Sequence, residues 1–186
     1  GYRSKTLDKY DVGLCEDKTK PMYNRIVVPV YDDDCKNMVG CVGRSRYNNS
    51  VPKWINSRGF NSGHYLYNYW FAQEEIRKTG VAILVEGQGD VWRLYESGIK
   101  NAVGLFGCKI TDAQMIKLEG SGAMNLVILM DNDEAGLKAR EKIKSKCERI
   151  FNIHSISLNE KYSDIGDMSV EEIQSNIKPL IEQITV

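Results

Sequence analysis

Short apolar runs alternate with helical stretches through the second half of the chain. Continuous apolar runs bounded by turn residues predict strands that are buried on both faces of a sheet. We expect strands at 81–85, 101–105, 126–130 and 150–155, and helices at 90–97, 111–118 and 134–147. Strands that alternate with helices form βαβ units, so this half predicts an α/β fold with a parallel sheet flanked by helices. A capping box formed by Ser169 and Glu172 predicts one final helix.

The first part of the chain has a different pattern of short β-rich runs and loops. The runs at 25–30 and 38–42 are separated by a polar turn, which predicts an antiparallel hairpin. A loop rich in Gly, Ser and Asn follows at 56–63, and a helix is expected over 65–78. This part therefore predicts a small α+β subdomain.

The formal net charge of zero hides an uneven distribution of charged residues. Residues 1–80 hold 13 basic and 9 acidic side chains, whereas residues 81–186 hold 12 and 16. The change in pattern and in charge predicts a domain boundary at Thr79–Gly80, with a basic N-terminal subdomain at 1–79 and a second domain at 80–186.

The stretch from Cys35 to Gln73 contains no acidic residue. Its basic residues are Lys36, Arg44, Arg46, Lys53 and Arg58, and its aromatic residues are Tyr47, Trp54, Phe60, Tyr65, Tyr67, Tyr69, Trp70 and Phe71. Basic groups neutralise phosphates and aromatic faces stack on unpaired bases, so this mixture suits single-stranded nucleic acid. A solvated loop followed by an aromatic helix packed on the core accounts for the same composition equally well.

Several classes of protein are excluded by composition. Hydrophobic residues make up 42% of the chain, which is too many for a disordered protein, and no apolar run approaches the ~18–20 residues that span a bilayer. Five cysteines without a CxxC pair, together with two histidines, cannot form a zinc finger or ribbon. We expect reduced, mostly buried thiols in a cytoplasmic protein. Because Gly1 opens the chain without a signal peptide, we also expect a domain from a longer protein.

Acidic residues follow three of the predicted strands. Glu86 follows the first, Asp131 and Asp133 follow the third, and Asp164 and Asp167 lie in the loop after the fourth. The carboxyl ends of parallel strands meet at one edge of a sheet. Carboxylates, water and substrate phosphates are the ligands that Mg²⁺ prefers. The spacing therefore predicts a divalent-metal site at this edge.

Helix capping is the structural alternative for these acids, because carboxylates accept hydrogen bonds from the free N–H groups of a first turn. Capping accounts well for Asp90 and for Asp133. It accounts poorly for Glu86, since a buried strand gains nothing from a lone carboxylate at its end.

Three other motifs begin like parts of these acidic segments. Gly87-Gln-Gly89 begins like a dinucleotide fingerprint, but the third glycine position is Trp92. The segment from Asp131 begins like a calcium loop, but its twelfth position is Lys142 where a glutamate is required. An Asp-x-Asp after a buried strand also occurs in aspartyl-phosphate phosphatases, which remain an alternative.

The chain contains an ordered set of short motifs. In the second half they are Val85-Glu86-Gly87-x-x-Asp90, Gly98-Ile-x-Asn-Ala102-Val103, Gly107-x-x-Ile-Thr111 and Asp131-x-Asp133-x-Ala-Gly136. In the first half they are Gly1 to Gly13, Arg25 to Val30, Val39-Gly-x-x-Gly43-Arg44, Pro52-Lys53-x-x-Asn56-Ser57 and Leu66-Tyr67. This ordered set resembles the TOPRIM domain of bacterial (DnaG-like) and phage DNA primases, and the resemblance covers nearly the whole chain.

The resemblance implies the RNA-polymerase catalytic core of a primase, a nucleotidyltransferase that makes short RNA primers. Asp131 and Asp133, with Asp164 and Asp167, would hold two or more Mg²⁺ or Mn²⁺ ions. Glu86 would act as the acid/base residue or as another metal ligand. The remaining motif residues are Gly87, Asp90 and Gly136.

The resemblance also implies binding partners. Template DNA and nucleoside triphosphates would contact Arg25, Arg44, Lys53, Asn56, Ser57 and Arg58. A replicative helicase would bind through parts of the protein that lie outside this chain. The protein itself would come from a phage or mobile element. Two other hypotheses stay open: another TOPRIM enzyme, such as a nuclease or a topoisomerase-related protein, and a non-catalytic module that binds single-stranded DNA or a helicase.

Overall fold

The computed structural model describes residues 1–47 and 49–184. The chain divides into two compact units, Gly1–Ser62 and Gly63–Val186. Residues 185 and 186, the end of the predicted second domain, lie outside the described residues. In the part of the chain that is described, no helix is long and apolar enough to cross a membrane.

The N-terminal unit is built on an antiparallel sheet. Its elements are α1 (Ser4–Lys9), β1 (Gly13–Leu14), β2 (Arg25–Tyr31), β3 (Met38–Ser45) and β4 (Trp54–Asn56). The strands follow the order β1-β2-β3-β4. Val28 of β2 lies opposite Val42 of β3, and both are buried, so the predicted hairpin is confirmed. Strand β4 was not predicted because three residues are too few to show a pattern.

The C-terminal unit contains a parallel sheet with helices packed against it. Its elements are α2 (Tyr69–Thr79), β5 (Val81–Val85), α3 (Gln88–Glu96), β6 (Ala102–Gly104), α4 (Asp112–Gly120), β7 (Asn125–Ile128), α5 (Glu134–Cys147), β8 (Asn152–Ser155), α6 (Val170–Asn176) and α7 (Lys178–Glu182), with a 3-10 turn at Ile165–Asp167. Another 3-10 turn, Ser62–His64, includes the division between the two units. The strand order is β6-β5-β7-β8, and all three pairings are parallel. The predicted α/β fold with a parallel sheet is confirmed.

The division between the units falls before helix α2 rather than after it. Tyr69, Ala72 and Ile76 of α2 pack in the same core as Leu84 of β5 and Val103 of β6. Because the apolar face of α2 covers the parallel sheet, this helix is part of the second unit. The structural boundary at residues 62 and 63 therefore precedes the Thr79–Gly80 boundary expected from the sequence.

Two helices differ in extent from the expectation. Helix α2 begins at Tyr69 because Tyr67 exchanges two backbone hydrogen bonds with Gly104 and Asn68 then has a left-handed φ of 68°. The final helix is divided into α6 and α7. Pro179, at the start of α7, has no N–H to continue the hydrogen bonds of α6.

Candidate functional site

Glu86 and Asp131 lie at the carboxyl edge of the parallel sheet. Strands β5 and β7 are neighbours, and each of these acids follows one of the two strands. The backbone N–H of Asp131 donates to Oε1 of Glu86 at 3.3 Å. The structure thus brings together the two acids that the sequence placed at one sheet edge.

Asp131 lies within a group of like charges. Burial raises its pKa from 3.8 to about 8, and the charges of Asp90, Glu86, Asp164 and Asp133 contribute in the same direction. A carboxylate that cannot disperse its charge into water, and that faces other carboxylates, binds a proton more tightly. These five residues therefore form a carboxylate cluster, the name used for them below.

Asp90 caps a helix and also contributes charge to the carboxylate cluster. Its Oδ2 accepts a hydrogen bond from the N–H of Gly87 at 3.0 Å, so it caps helix α3 as predicted. Burial raises its pKa to about 7, and the charges of Asp164 and Glu86 add to that effect. Capping and membership of the cluster are thus compatible.

The other predicted metal ligands also cap local turns. Asp133 accepts from the N–H of Gly136 at 2.7 Å and caps helix α5. Asp164 accepts from the N–H of Asp167 at 3.0 Å, and Asp167 accepts from the N–H of Ser163 at 3.1 Å. Asp133 and Asp164 act electrostatically on Asp131, whereas the contacts of Asp167 given by the structure are local.

Gly136 allows helix α5 to begin directly beside Asp131. A Cβ atom at this position would lie 2.1 Å from the carbonyl oxygen of Asp131, which no packing can accommodate. The glycine of the Asp-x-Asp-x-Ala-Gly motif is therefore explained by a close approach of backbone to backbone.

Cys108 is a part of the site that the sequence did not indicate. Its Sγ donates to Oε2 of Glu86 at 2.8 Å, and burial together with this bond raises the pKa of the thiol to about 12. The expectation of mostly buried cysteines is wrong, because Cys147 is buried but Cys35 is exposed and the other three are half-buried. Cys35 lies in the polar turn between β2 and β3, where its side chain is exposed to solvent.

Four of the predicted nucleic-acid residues are accessible on the N-terminal unit. Lys53, Asn56 and Arg58 are exposed, and Arg44 is half-buried. The guanidinium of Arg44 lies 6.0 Å from the ring centroid of Trp54, its opposite residue in the β3–β4 pair. A basic group beside an accessible aromatic face is the arrangement expected for stacking and phosphate contacts.

Two further predicted residues have structural hydrogen bonds. Arg25 donates to the carbonyl oxygens of Gly43, Pro52 and Lys53, each at 3.2 Å. Ser57 Oγ accepts from the N–H of Cys41 at 3.0 Å. Both side chains hold the backbone around β3 and β4, and their contact with nucleic acid stays a prediction.

The aromatic part of the acid-free stretch divides between surface and core. Trp54 is 41% exposed and Tyr47 is 59% exposed, whereas Tyr67 and Tyr69 are buried. Tyr67 accepts a hydrogen bond from Nε1 of Trp92 at 2.8 Å. The core explanation therefore holds for Tyr67 and Tyr69, whereas the rings of Tyr47 and Trp54 are accessible for stacking on bases.

The carboxylate cluster has the donor chemistry of a site for a hard divalent cation, since all its ligating atoms are oxygens. Among residues 1–47 and 49–184, no three or more His, Cys, Asp or Glu side chains are already placed to hold a metal ion. Mg²⁺ commonly uses one or two carboxylates and completes its shell with water and phosphate oxygens. The cluster thus fits such an ion in chemical type.

This chain is similar to DNA primases from several bacteria. Residues 83–169 match the Toprim-like family model. A DNA primase from Aquifex aeolicus (strain VF5) is 38% identical over 118 residues, which cover 62% of this chain and 23% of that protein.

Solved structures give the same result for the fold. The crystal structure of the zinc-binding and RNA polymerase domains of the Aquifex aeolicus primase matches 99% of this chain and 52% of that one, with 27% identity and a TM-score of 0.81. A DnaG primase catalytic domain bound to ssDNA matches 99% of this chain and 67% of that one, with a TM-score of 0.73, and at 20% identity it shows the fold alone.

The chain spans about a quarter of the length of the curated relatives that it matches. Three observations indicate the same kind of domain: the sequence motifs, the acidic edge of the parallel sheet, and the similarity to known primases. The chain carries a TOPRIM domain of the bacterial DnaG-like DNA primase type.

Proposed function

We propose that this chain is the catalytic core of a DNA primase, which joins ribonucleotides into short RNA primers on a single-stranded DNA template. The observation that carries the proposal is the pair Glu86 and Asp131 at the ends of adjacent parallel strands, in a chain similar to primases. A surface that only binds nucleic acid has no use for clustered carboxylates, because they repel phosphates.

Divalent cations fit this proposal. Mg²⁺ or Mn²⁺, in two or more sites, would be held by carboxylates from the set Glu86, Asp131, Asp133, Asp164 and Asp167. When bound, the metal supplies activation of the attacking 3′-oxygen and neutralisation of charge on the leaving pyrophosphate.

The residues of the C-terminal unit contribute position and charge. The carboxylate cluster collects acidic groups where β5 and β7 end, and burial, with the neighbouring carboxylates as a further cause, raises the pKa of Asp131. A triphosphate would therefore approach this edge only when cations neutralise it. Glu86 would serve either as a metal ligand or as the group that moves a proton, and both roles need its carboxylate to be fixed in place.

The N-terminal unit would supply binding to the template. Arg44, Lys53 and Arg58 would contact phosphates, and Trp54 would stack on an unpaired base. A DnaG primase catalytic domain has been solved with ssDNA, which supports a template of this type for the present chain.

A primer-synthesis assay tests the proposal. The 186-residue chain is incubated with single-stranded DNA, labelled ribonucleoside triphosphates and Mg²⁺ or Mn²⁺, and we expect short, alkali-labile products that disappear with a chelator. The Asp131→Asn variant should make far less product. Cleavage of the DNA without synthesis would favour a TOPRIM nuclease instead, and DNA binding with neither reaction would favour a binding module.

A further inference from the structure

The loop that joins β6 to α4 approaches Glu86 in an unusual backbone conformation. Phe106 has a φ of 61° and Gly107 has a φ of 137°. The left-handed region is unfavourable for a bulky residue such as phenylalanine, and conformations of this kind persist where surrounding contacts fix them. The N–H of Gly107 donates to the carbonyl oxygen of Glu86 at 3.1 Å.

Aromatic packing holds this loop in place. The Phe106 ring meets the Tyr67 ring edge to face, with 6.2 Å between centroids. Tyr67 is itself fixed by the hydrogen bond from Trp92 and by its backbone pairing with Gly104. The unfavourable φ of Phe106 is thus supported by buried contacts on the C-terminal unit.

The result of this conformation is that the thiol of Cys108 reaches the Glu86 carboxylate. Sγ lies 2.8 Å from Oε2, while the N–H of Asp131 lies 3.3 Å from Oε1. A half-buried glutamate is otherwise free to rotate about three side-chain bonds, which costs free energy whenever one orientation is needed. Here each of its two oxygens has a donor from a different loop.

We propose that Cys108 is a positioning residue that holds the Glu86 carboxylate toward Asp131. The inference rests on the proposed function, since Glu86 is the residue that is positioned. Cys108 would not touch substrate or change its own protonation. Its alternative role is to fill space beneath the loop, which an apolar side chain of similar volume would do equally well.

Substitutions at Cys108 distinguish these roles. Cys108→Ser keeps a donor, Cys108→Val gives a slightly larger apolar side chain that still fills the space but has no donor, and Cys41→Val is the matched control on the other unit. We expect Cys108→Val to lower kcat for primer synthesis about tenfold with little change in KM for nucleotides, the usual cost of losing a group that orients an active-site ligand. Cys108→Ser and Cys41→Val should stay within about threefold of the wild type.

Binding of Mn²⁺, followed by electron paramagnetic resonance, gives a second measurement that does not depend on activity. We expect Cys108→Val to weaken Mn²⁺ binding about tenfold and Cys108→Ser to restore it. An inactive wild type would contradict the proposed function, and the Mn²⁺ measurement would then decide the inference alone. Equal Mn²⁺ binding by the Val and Ser variants, or none by the wild type, would overturn the positioning role.

Discussion

Glu86 differs from its acidic neighbours in the partners of its oxygen atoms. Asp90, Asp133 and Asp164 each accept a backbone hydrogen bond at the start of a helix or 3-10 turn, so local structure accounts for their presence. Glu86 caps no helix, and its oxygens face Cys108 and the backbone of the Asp131 loop. Capping, the structural alternative for these acids, therefore does not explain Glu86.

Asp131 makes the stability of the metal-free chain depend on pH. Its pKa is about 8 in the folded chain and 3.8 ordinarily, so the folded state binds more protons between these values. The free energy of unfolding should therefore fall as the pH rises from about 4 to about 8. Asp131→Asn removes the charge, and we expect it to raise stability at pH 8.5 by on the order of 1 kcal/mol and to flatten the pH dependence.

Thermal melting between pH 5 and about pH 9 without divalent metal measures this effect. Glu119→Gln, which changes an exposed carboxylate on α4, is the control and should leave the curve unchanged. Melting temperatures that rise with pH in the wild type would contradict the electrostatic description of the carboxylate cluster.

At the scale of elements, much of the site could be predicted because parallel strands place their carboxyl ends at one edge. Continuous apolar runs identified β5 and β7, and the residues that follow them are Glu86 and Asp131. The donor to Glu86 could not be predicted. Cys108 reaches it only through the left-handed backbone at Phe106, and no sequence pattern indicates such a conformation.

The boundary between the two units could not be predicted from the sequence pattern either. Helix α2 was assigned to the N-terminal subdomain because it precedes the change in charge, but long-range packing of its apolar face decides its place. The hairpin β2–β3 was predictable because its pairing is local and its turn is polar. The pattern of apolar and polar residues therefore predicts individual helices and strands better than it predicts which of them pack together.

The start of helix α5 gives a prediction at this scale. Gly136→Ala introduces a Cβ at 2.1 Å from the Asp131 carbonyl oxygen, so the helix must move away from the loop. We expect a loss of stability of about 1–3 kcal/mol, typical of overpacking, and weaker Mn²⁺ binding because Asp131 and Asp133 are displaced.

Gly120→Ala is the matched control, because an added Cβ at this α4 position meets no atom within 4 Å. Chemical denaturation of both variants gives the comparison. Equal stability of the two would show that the close approach at Gly136 has no structural consequence.

At the scale of the whole molecule, positive charge on the N-terminal unit predicts how DNA binding depends on salt. If Arg44 and Lys53 contact phosphates of single-stranded DNA, log affinity should fall with log salt by ~0.7 for each contact. Arg44→Gln with Lys53→Gln should flatten this slope by about one to two units.

The control for this experiment is Lys18→Gln with Lys20→Gln, which removes the same charge from exposed positions of the same unit. Fluorescence anisotropy over a range of salt concentrations measures each slope. If the slope changes equally in both double variants, Arg44 and Lys53 contribute only to the net positive charge of the unit and do not contact the phosphates.

The most direct test of the account compares primer synthesis and DNA affinity in the Glu86→Gln and Glu119→Gln variants. Glu86→Gln keeps the shape of the side chain and removes its charge. We predict a fall in nucleotide joining on the order of a hundredfold, the scale for loss of an acid–base group, with unchanged or slightly tighter DNA binding. Glu119→Gln should retain both properties. Full primer synthesis by a folded Glu86→Gln variant would contradict the central claim.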